Sequence, residues 1–214
     1  MKEIDLMIFD FDGTLVSSGR DLALAINYTL GELNLPLQQE SAIINYVGDG
    51  IKLLIERSLG AANFRHREEA LVIFTEYYSK HLLDNTALIP GVEEVLVKYQ
   101  DKLKVIMTNK RYVFTAAIAQ GLKIDKYFKE IMGGDFASYM KPDRRLVDYL
   151  IEKYSVAREK TVIIGDGVND INVAKNSGIL CCAYLNGLGK KKELQEAAAD
   201  FYCENLREIS SLFC

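Results

Sequence analysis

Between Met7 and Val16 the chain reads MIFDFDGTLV, an apolar run that drives into two aspartates one residue apart. The stretch from Ile4 to Phe9, interrupted only by Asp5, is too short for a helix and ends in turn-formers, so it is predicted to be a buried strand. Gly13 marks the exit from it. In an open parallel α/β sheet, ligands bind in the crevice outside the carboxyl ends of the strands, which puts Asp10 and Asp12 at the mouth of a site. Residues two apart on a strand return to the same side, so both carboxylates address one space. A bare D-x-D after a strand is often no more than a polar turn; the Gly-Thr that follows argues for a site.

Further on, strand and helix alternate. Strands are predicted over 103–107, 131–134, 161–164, 179–185 and 200–203, and helices over 92–99, 113–120, 144–154, 169–176 and 191–199, with a short terminal helix. Gly178 closes the helix over 169–176 from its C′ position. This alternation marks a doubly wound parallel sheet. From 17 to 86 the pattern is helical throughout, with apolar periods over 21–35, 39–46, 51–59 and 66–83 and no strand candidate. The fold class expected is therefore α/β: a doubly wound parallel sheet built by residues 1–16 and 87–214, carrying residues 17–86 as an inserted small helical cap domain.

A chain of 214 residues suits this arrangement, and 49% apolar with 26% charged residues is ordinary globular composition. The net charge of −4 argues against a nucleic-acid partner, since binding to phosphate backbones relies on clustered Lys and Arg. Cys181, Cys182, Cys203 and Cys214 form no C-x-x-C pair and read as free thiols of a reducing compartment. No apolar run is long enough for a membrane span, and a cytoplasmic location is expected.

Each strong strand ends in polar residues: Asp10 and Asp12, then Thr108, Asn109 and Lys110, then Asp166, Asn169 and Asp170, with Lys141-Pro142 on a loop between. If the sheet forms as read, these groups converge on one crevice. Carboxylates gathered there repel one another, and a divalent cation relieves them; hard oxygen ligands favour Mg²⁺. Phosphoryl transfer suits the inventory. An aspartate can attack phosphorus to form an aspartyl-phosphate, and the remaining work is positioning and charge stabilisation by Mg²⁺, the Lys141 ammonium, the Thr108 hydroxyl and nearby amides. Asp12 is placed to protonate the leaving oxygen and then to accept a proton from water.

In these motifs the sequence resembles the haloacid dehalogenase-like hydrolases over nearly its whole length. DFDGTLV matches the first motif of that family, Thr108-Asn109 the second, Lys141-Pro142 the third and GDGVND the fourth. The resemblance implies a Rossmann-type fold with a small cap after the first strand. It also implies Asp10 as nucleophile, Asp12 as general acid and base, and Thr108, Asn109 and Lys141 around the phosphoryl group. The implied Mg²⁺ site comprises Asp10, Asp166 and Asp170, with Asp12 contributing its backbone carbonyl. Asp12 points to phosphate substrates, because the dehalogenases themselves lack this second aspartate. Asp21-Leu22, Tyr46 to Gly50, Thr108-Asn109-Lys110 and Ala198 to Phe201 are similar to phosphoglycolate phosphatases, while Ser17, Arg20, Arg111 and Gly167 depart from their usual residues.

The expected activity is hydrolysis of a small anionic phosphate ester, with 2-phosphoglycolate as the best single candidate, by a monomer or homodimer. A pyrophosphatase, a nucleotidase, and a sugar-phosphate phosphatase or mutase share the same chemistry residues. An inactive binding or regulatory protein is the alternative of another class; it would be marked by loss of Asp10, Asp12, Lys141 or Asp166, all of which are present. Gly48, Asp49, Gly50 and Lys110 are expected to set substrate specificity, with Lys52, Arg57 and Arg20 as further candidates for an anionic leaving group. Asp49 alone would read as a helix cap. His66 and His81 lie in the helical block and read as surface residues, and Tyr77 and Tyr78 as helix-packing residues or a dimer surface.

Overall fold

The computed structural model describes residues 1–214. Six parallel strands form one sheet: β1 Leu6–Phe9, β2 Leu103–Met107, β3 Glu130–Met132, β4 Thr161–Gly165, β5 Leu180–Tyr184 and β6 Phe201–Cys203. Their order is β3-β2-β1-β4-β5-β6. The chain winds outward from β1 to β3 and then crosses to the other side of β1, so the switch point lies between β1 and β4.

The continuous apolar run of β1 has a simple cause: both faces of the sheet are covered. Leu6 and Ile8 face a layer with Val105, Met107, Ile163 and Cys181, whereas Met7 and Phe9 face the other with Ile106, Val162, Ile164 and Cys182. The helices are α1 Gly19–Glu32, α2 Glu40–Ile44, α3 Ile51–Leu59, α4 Arg67–Lys80, α5 Val92–Lys98, α6 Tyr112–Gly121, α7 Arg145–Tyr154, α8 Val168–Ser177, α9 Lys191–Ala197 and α10 Ile209–Leu212. Gly178 takes the left-handed conformation that ends α8, as its position predicts.

Several boundaries differ from the sequence reading. The helix expected over 39–46 shortens to α2, because Tyr46 and Val47 donate to carbonyls only three residues back and Asn45 turns its amide onto the Ser41 carbonyl. The helix expected over 66–83 becomes a 3-10 segment, Ala61–His66, running into α4. β3 ends before Gly133, whose α-carbon faces the Tyr112 backbone so closely that a Cβ would lie 2.3 Å from its nitrogen.

Helices α1 to α4 have a core of their own, in which Leu22, Ile26, Leu30, Ile43, Leu54, Ile55, Phe74 and Tyr78 pack together; Phe114 of α6 joins it from the sheet side. The block leaves and rejoins the sheet at one place. Val16 bridges Leu88 in antiparallel fashion, Ser17 N donates to the Ala87 carbonyl at 2.9 Å and Ile89 N to the Leu15 carbonyl at 3.0 Å. Asp21, in the first turn of α1, fastens this root: its carboxylate accepts four hydrogen bonds, from the backbone and side chains of Asn85 and Thr86, at 2.7 to 2.9 Å. Cys181, Cys182 and Cys203 are buried free thiols, and Cys214 is exposed. No helix is long and apolar enough to cross a membrane.

Candidate active site

Asp10 is the first residue beyond β1, and its amide donates to the Ile164 carbonyl at 2.9 Å, which fixes it against the end of β4. Its Oδ1 lies 2.8 Å from Lys141 Nζ but accepts no well-aligned hydrogen bond. Lys141 is almost wholly buried and reaches Asp170 Oδ1 at 2.6 Å. Asp170, in the first turn of α8, also accepts the Gly167 N–H at 3.0 Å, so capping the helix and lining the site are one act.

Asp166 is gripped from two sides. Thr14 Oγ1 donates to its Oδ1 at 2.7 Å, and the amides of Leu188 and Gly189 donate to Oδ2 at 2.7 and 3.3 Å. The loop after β5 packs so tightly here that a Cβ on Gly187 would lie 2.3 Å from Asp166 Cβ, and one on Gly189 would lie 1.9 Å from its carbonyl oxygen. In the sequence Thr14 counts only as part of the Gly-Thr after the aspartates, and this loop is not singled out. The signal was the run Asn186-Gly187-Leu188-Gly189 directly after a strand end, the same location as every other site segment.

One carboxylate oxygen from each of Asp10, Asp166 and Asp170 falls within 4.8 Å of the others. Burial, reinforced by the charge of Asp10, pushes Asp166 up to about 6 and Asp170 up to about 7. Burial alone would lower Lys141, yet Asp10 and Asp170 outweigh it and raise it above the usual lysine range. The three clustered carboxylates thus have one ammonium among them, paired with Asp10 and Asp170, and negative charge is left over in a buried place. The donor set fits a hard divalent cation such as Mg²⁺, which binds a few carboxylates and keeps water or substrate oxygen on its other positions.

The carboxylate of Asp12 lies outside that trio. It accepts the Ser18 hydroxyl in a short hydrogen bond, and Lys110 Nζ stands 3.0 and 3.2 Å from its two oxygens. A metal role for Asp12 is therefore confined to its backbone carbonyl. Lys110 in turn donates to the Tyr78 hydroxyl of α4 at 2.7 Å. Asp10, Asp12, Thr108 and Lys110 line a cavity with Leu22, Ile51, Leu54, Phe74 and Tyr78 of the helical block and with Arg111 and Phe114 beside them.

Other expected groups turn elsewhere. Thr108 is buried on the cavity and its Oγ1 accepts the Lys110 amide at 3.2 Å. The carboxamide of Asn109 is spent: it donates to the Gly48 and Lys141 carbonyls at 2.9 and 3.2 Å and accepts the Lys141 amide at 3.0 Å. Its side chain is a fastener between loops, not a free phosphate ligand. Gly48 and Gly50 adopt left-handed backbone angles and line the cavity. Asp49 does not cap α3, whose N-cap is Gly50; it pairs with Arg57 at 2.6 Å and accepts from Asn169 Nδ2 at 2.7 Å. Arg57 is thereby engaged, and Arg20, Lys52 and Arg57 are absent from the cavity lining. His66 and His81 pair with Glu69 and Asp84 on the surface. Tyr78, unlike Tyr77, is wholly buried and belongs to no outer surface.

A carboxylate at the switch point, a carboxylate trio with one lysine and a helical block over the mouth define a class. The profile of the haloacid dehalogenase-like hydrolases matches residues 7–184, and the chain belongs to that family. Among its relatives, the phosphoglycolate phosphatase of Colwellia psychrerythraea is 33% identical over 218 residues, spanning 98% of this chain and 96% of that protein. That of Vibrio cholerae is 29% identical, spanning 96% and 95%. A crystal structure of a predicted phosphoglycolate phosphatase from Haemophilus somnus superposes with a TM-score of 0.91 at 28% identity, with 99% of each chain covered.

Proposed function

We propose that the chain is a Mg²⁺-dependent phosphomonoesterase that works through an aspartyl-phosphate on Asp10, with 2-phosphoglycolate as its substrate. The observation that carries the reading is the clustering of Asp10, Asp166 and Asp170, with Lys141 paired to Asp10 and Asp170, beside a cavity that Asp10 and Asp12 line. The named activity of the relatives supports the choice of substrate. In this reading residues 1–16 and 87–214 carry the chemistry, and residues 17–86 act as a cap that keeps bulk water from the intermediate.

Asp10, Asp166 and Asp170 would hold the Mg²⁺, with the Asp12 carbonyl as a further ligand. Bound there, the ion supplies charge neutralisation for the carboxylates and the phosphoryl oxygens. Asp10 attacks phosphorus; the ester P–O bond breaks as the Asp10 O–P bond forms, and Asp12 gives its proton to the departing oxygen. Asp12, now a carboxylate, takes a proton from the water that attacks the same phosphorus, which releases inorganic phosphate and restores Asp10. Lys141 and the Thr108 hydroxyl hold the equatorial oxygens during both steps.

The test is turnover of the purified protein on 2-phosphoglycolate, pyrophosphate, a nucleoside monophosphate and a sugar phosphate, with Mg²⁺ and with chelator. Chelation is expected to stop turnover, and Asp10→Asn to lower it by at least about 10³-fold. Borohydride reduction during turnover should convert Asp10 to homoserine, read by mass spectrometry. Equal rates with and without chelator, or full activity in Asp10→Asn, overturn the mechanism.

A further inference from the structure

We infer that Tyr78, together with Lys110, forms the subsite for the leaving group, and that this subsite selects a short leaving group bearing a carboxylate. The inference rests on the phosphomonoesterase reading above and assigns to α4 a residue that touches substrate.

Tyr78 is fully buried, and its ring is held between Phe74 and Phe114 at centroid distances of 5.3 and 5.2 Å. Its hydroxyl position is therefore fixed. The oxygen accepts from Lys110 Nζ at 2.7 Å, which leaves the phenolic proton to be donated elsewhere, and no hydrogen bond in the structure uses it. Burial pushes the phenol up to about 12, so Tyr78 keeps that proton at any physiological pH and serves as a donor. Tyr78 and Lys110, whose ammonium lies 4.7 Å from the ring centroid, line the same cavity.

The apolar part of the remaining wall is Leu22, Val47, Ile51, Leu54, Phe74 and Phe114, and Arg111 adds a second cation to the lining. An unspent O–H beside a cation in apolar surroundings is costly until a ligand brings an acceptor, and an anionic acceptor gains most. Reach fixes the length of the ligand. Lys110 Nζ is 3.0 Å from Asp12, the proposed proton donor to the leaving oxygen, and the Tyr78 hydroxyl is one hydrogen bond further. The carboxylate must then stand one or two carbons from the ester oxygen, as in a phosphorylated short hydroxy acid.

The experiment compares 2-phosphoglycolate with ethyl phosphate, an ester of the same length without the carboxylate, in the wild type and in Tyr78→Phe. This variant keeps the ring and its two aromatic contacts. The wild type is expected to favour 2-phosphoglycolate in kcat/KM. In Tyr78→Phe that preference should shrink by about 10-fold or more, with the loss on 2-phosphoglycolate residing in KM. Calorimetric titration of both esters onto both proteins supplies the same comparison without turnover. A wild type that hydrolyses the two esters without preference, or a Tyr78→Phe variant that loses equally on both, overturns the inference and leaves the phosphatase reading standing. A protein that hydrolyses neither, yet binds 2-phosphoglycolate in preference to ethyl phosphate in a Tyr78-dependent manner, overturns the phosphatase reading and upholds the subsite. Binding of neither ester overturns both.

Discussion

Asp21 shows how much a residue with no part in the chemistry can govern. Burial alone would raise its carboxyl, but the bonds from Thr86 and Asn85 outweigh burial and hold it below the usual carboxylate range. A carboxyl depressed in the folded state stabilises that state above its unfolded pKa, and the contribution disappears as pH falls through the folded value. Asp21→Ala, which strands four donors, is expected to cost about 2–4 kcal/mol at pH 7. The gap in thermal midpoint between wild type and variant should narrow as pH drops below about 4. A gap independent of pH would show that the carboxylate charge is irrelevant there. In the sequence Asp21 reads as the acidic start of a helix, which is true and incomplete, since its partners lie 64 and 65 positions away. Tyr78 and Asn169 share this fate. Their spacing announces a helix face or a cap, while their hydrogen-bond partners come from segments that only folding brings near.

At the level of single elements, the loop between β5 and α9 holds Asp166 as the supporting partners of a ligand do in metal sites, which makes it the support of the proposed Mg²⁺ site. Removing such support commonly weakens metal affinity by about 10- to 100-fold. Gly189→Ala would force a Cβ against the Asp166 carbonyl, so the loop must shift and its amides with it. The half-saturating Mg²⁺ concentration in a thermal-shift titration is expected to rise about 10-fold or more. Unchanged Mg²⁺ dependence would show that the amide clamp is dispensable. The strands themselves were legible, because β1, β2, β4 and β5 are apolar runs closed by polar residues, and burial on both faces leaves few other ways to use such runs. The clamp was not. A glycine-rich turn looks alike whether it merely reverses the chain or presses its backbone on a carboxylate.

For the whole molecule, the alternation of strand and helix after Leu103 made the doubly wound sheet readable, and a strand-free stretch after β1 made the inserted block readable. How the block sits on the sheet was not, because its seat is a few side chains. Asn109 and Asn169 reach up to Gly48 and Asp49 and hold the block's loop against the strand ends. Asn169→Ala should speed amide hydrogen exchange across residues 48–50 by several-fold while leaving β1 and β4 protected. Equal protection in both proteins would mean that the contact follows closure without maintaining it. The root of the block has a wider consequence. Because Leu15, Val16 and Ser17 are bonded to Ala87, Leu88 and Ile89, the sheet experiences everything between them as the tip of a hairpin. The hydrogen bonds of that root fix neither the length nor the sequence of the tip. An insertion or deletion between residues 17 and 86 that keeps these bonds is therefore absorbed by the excursion and leaves the strand register where it was.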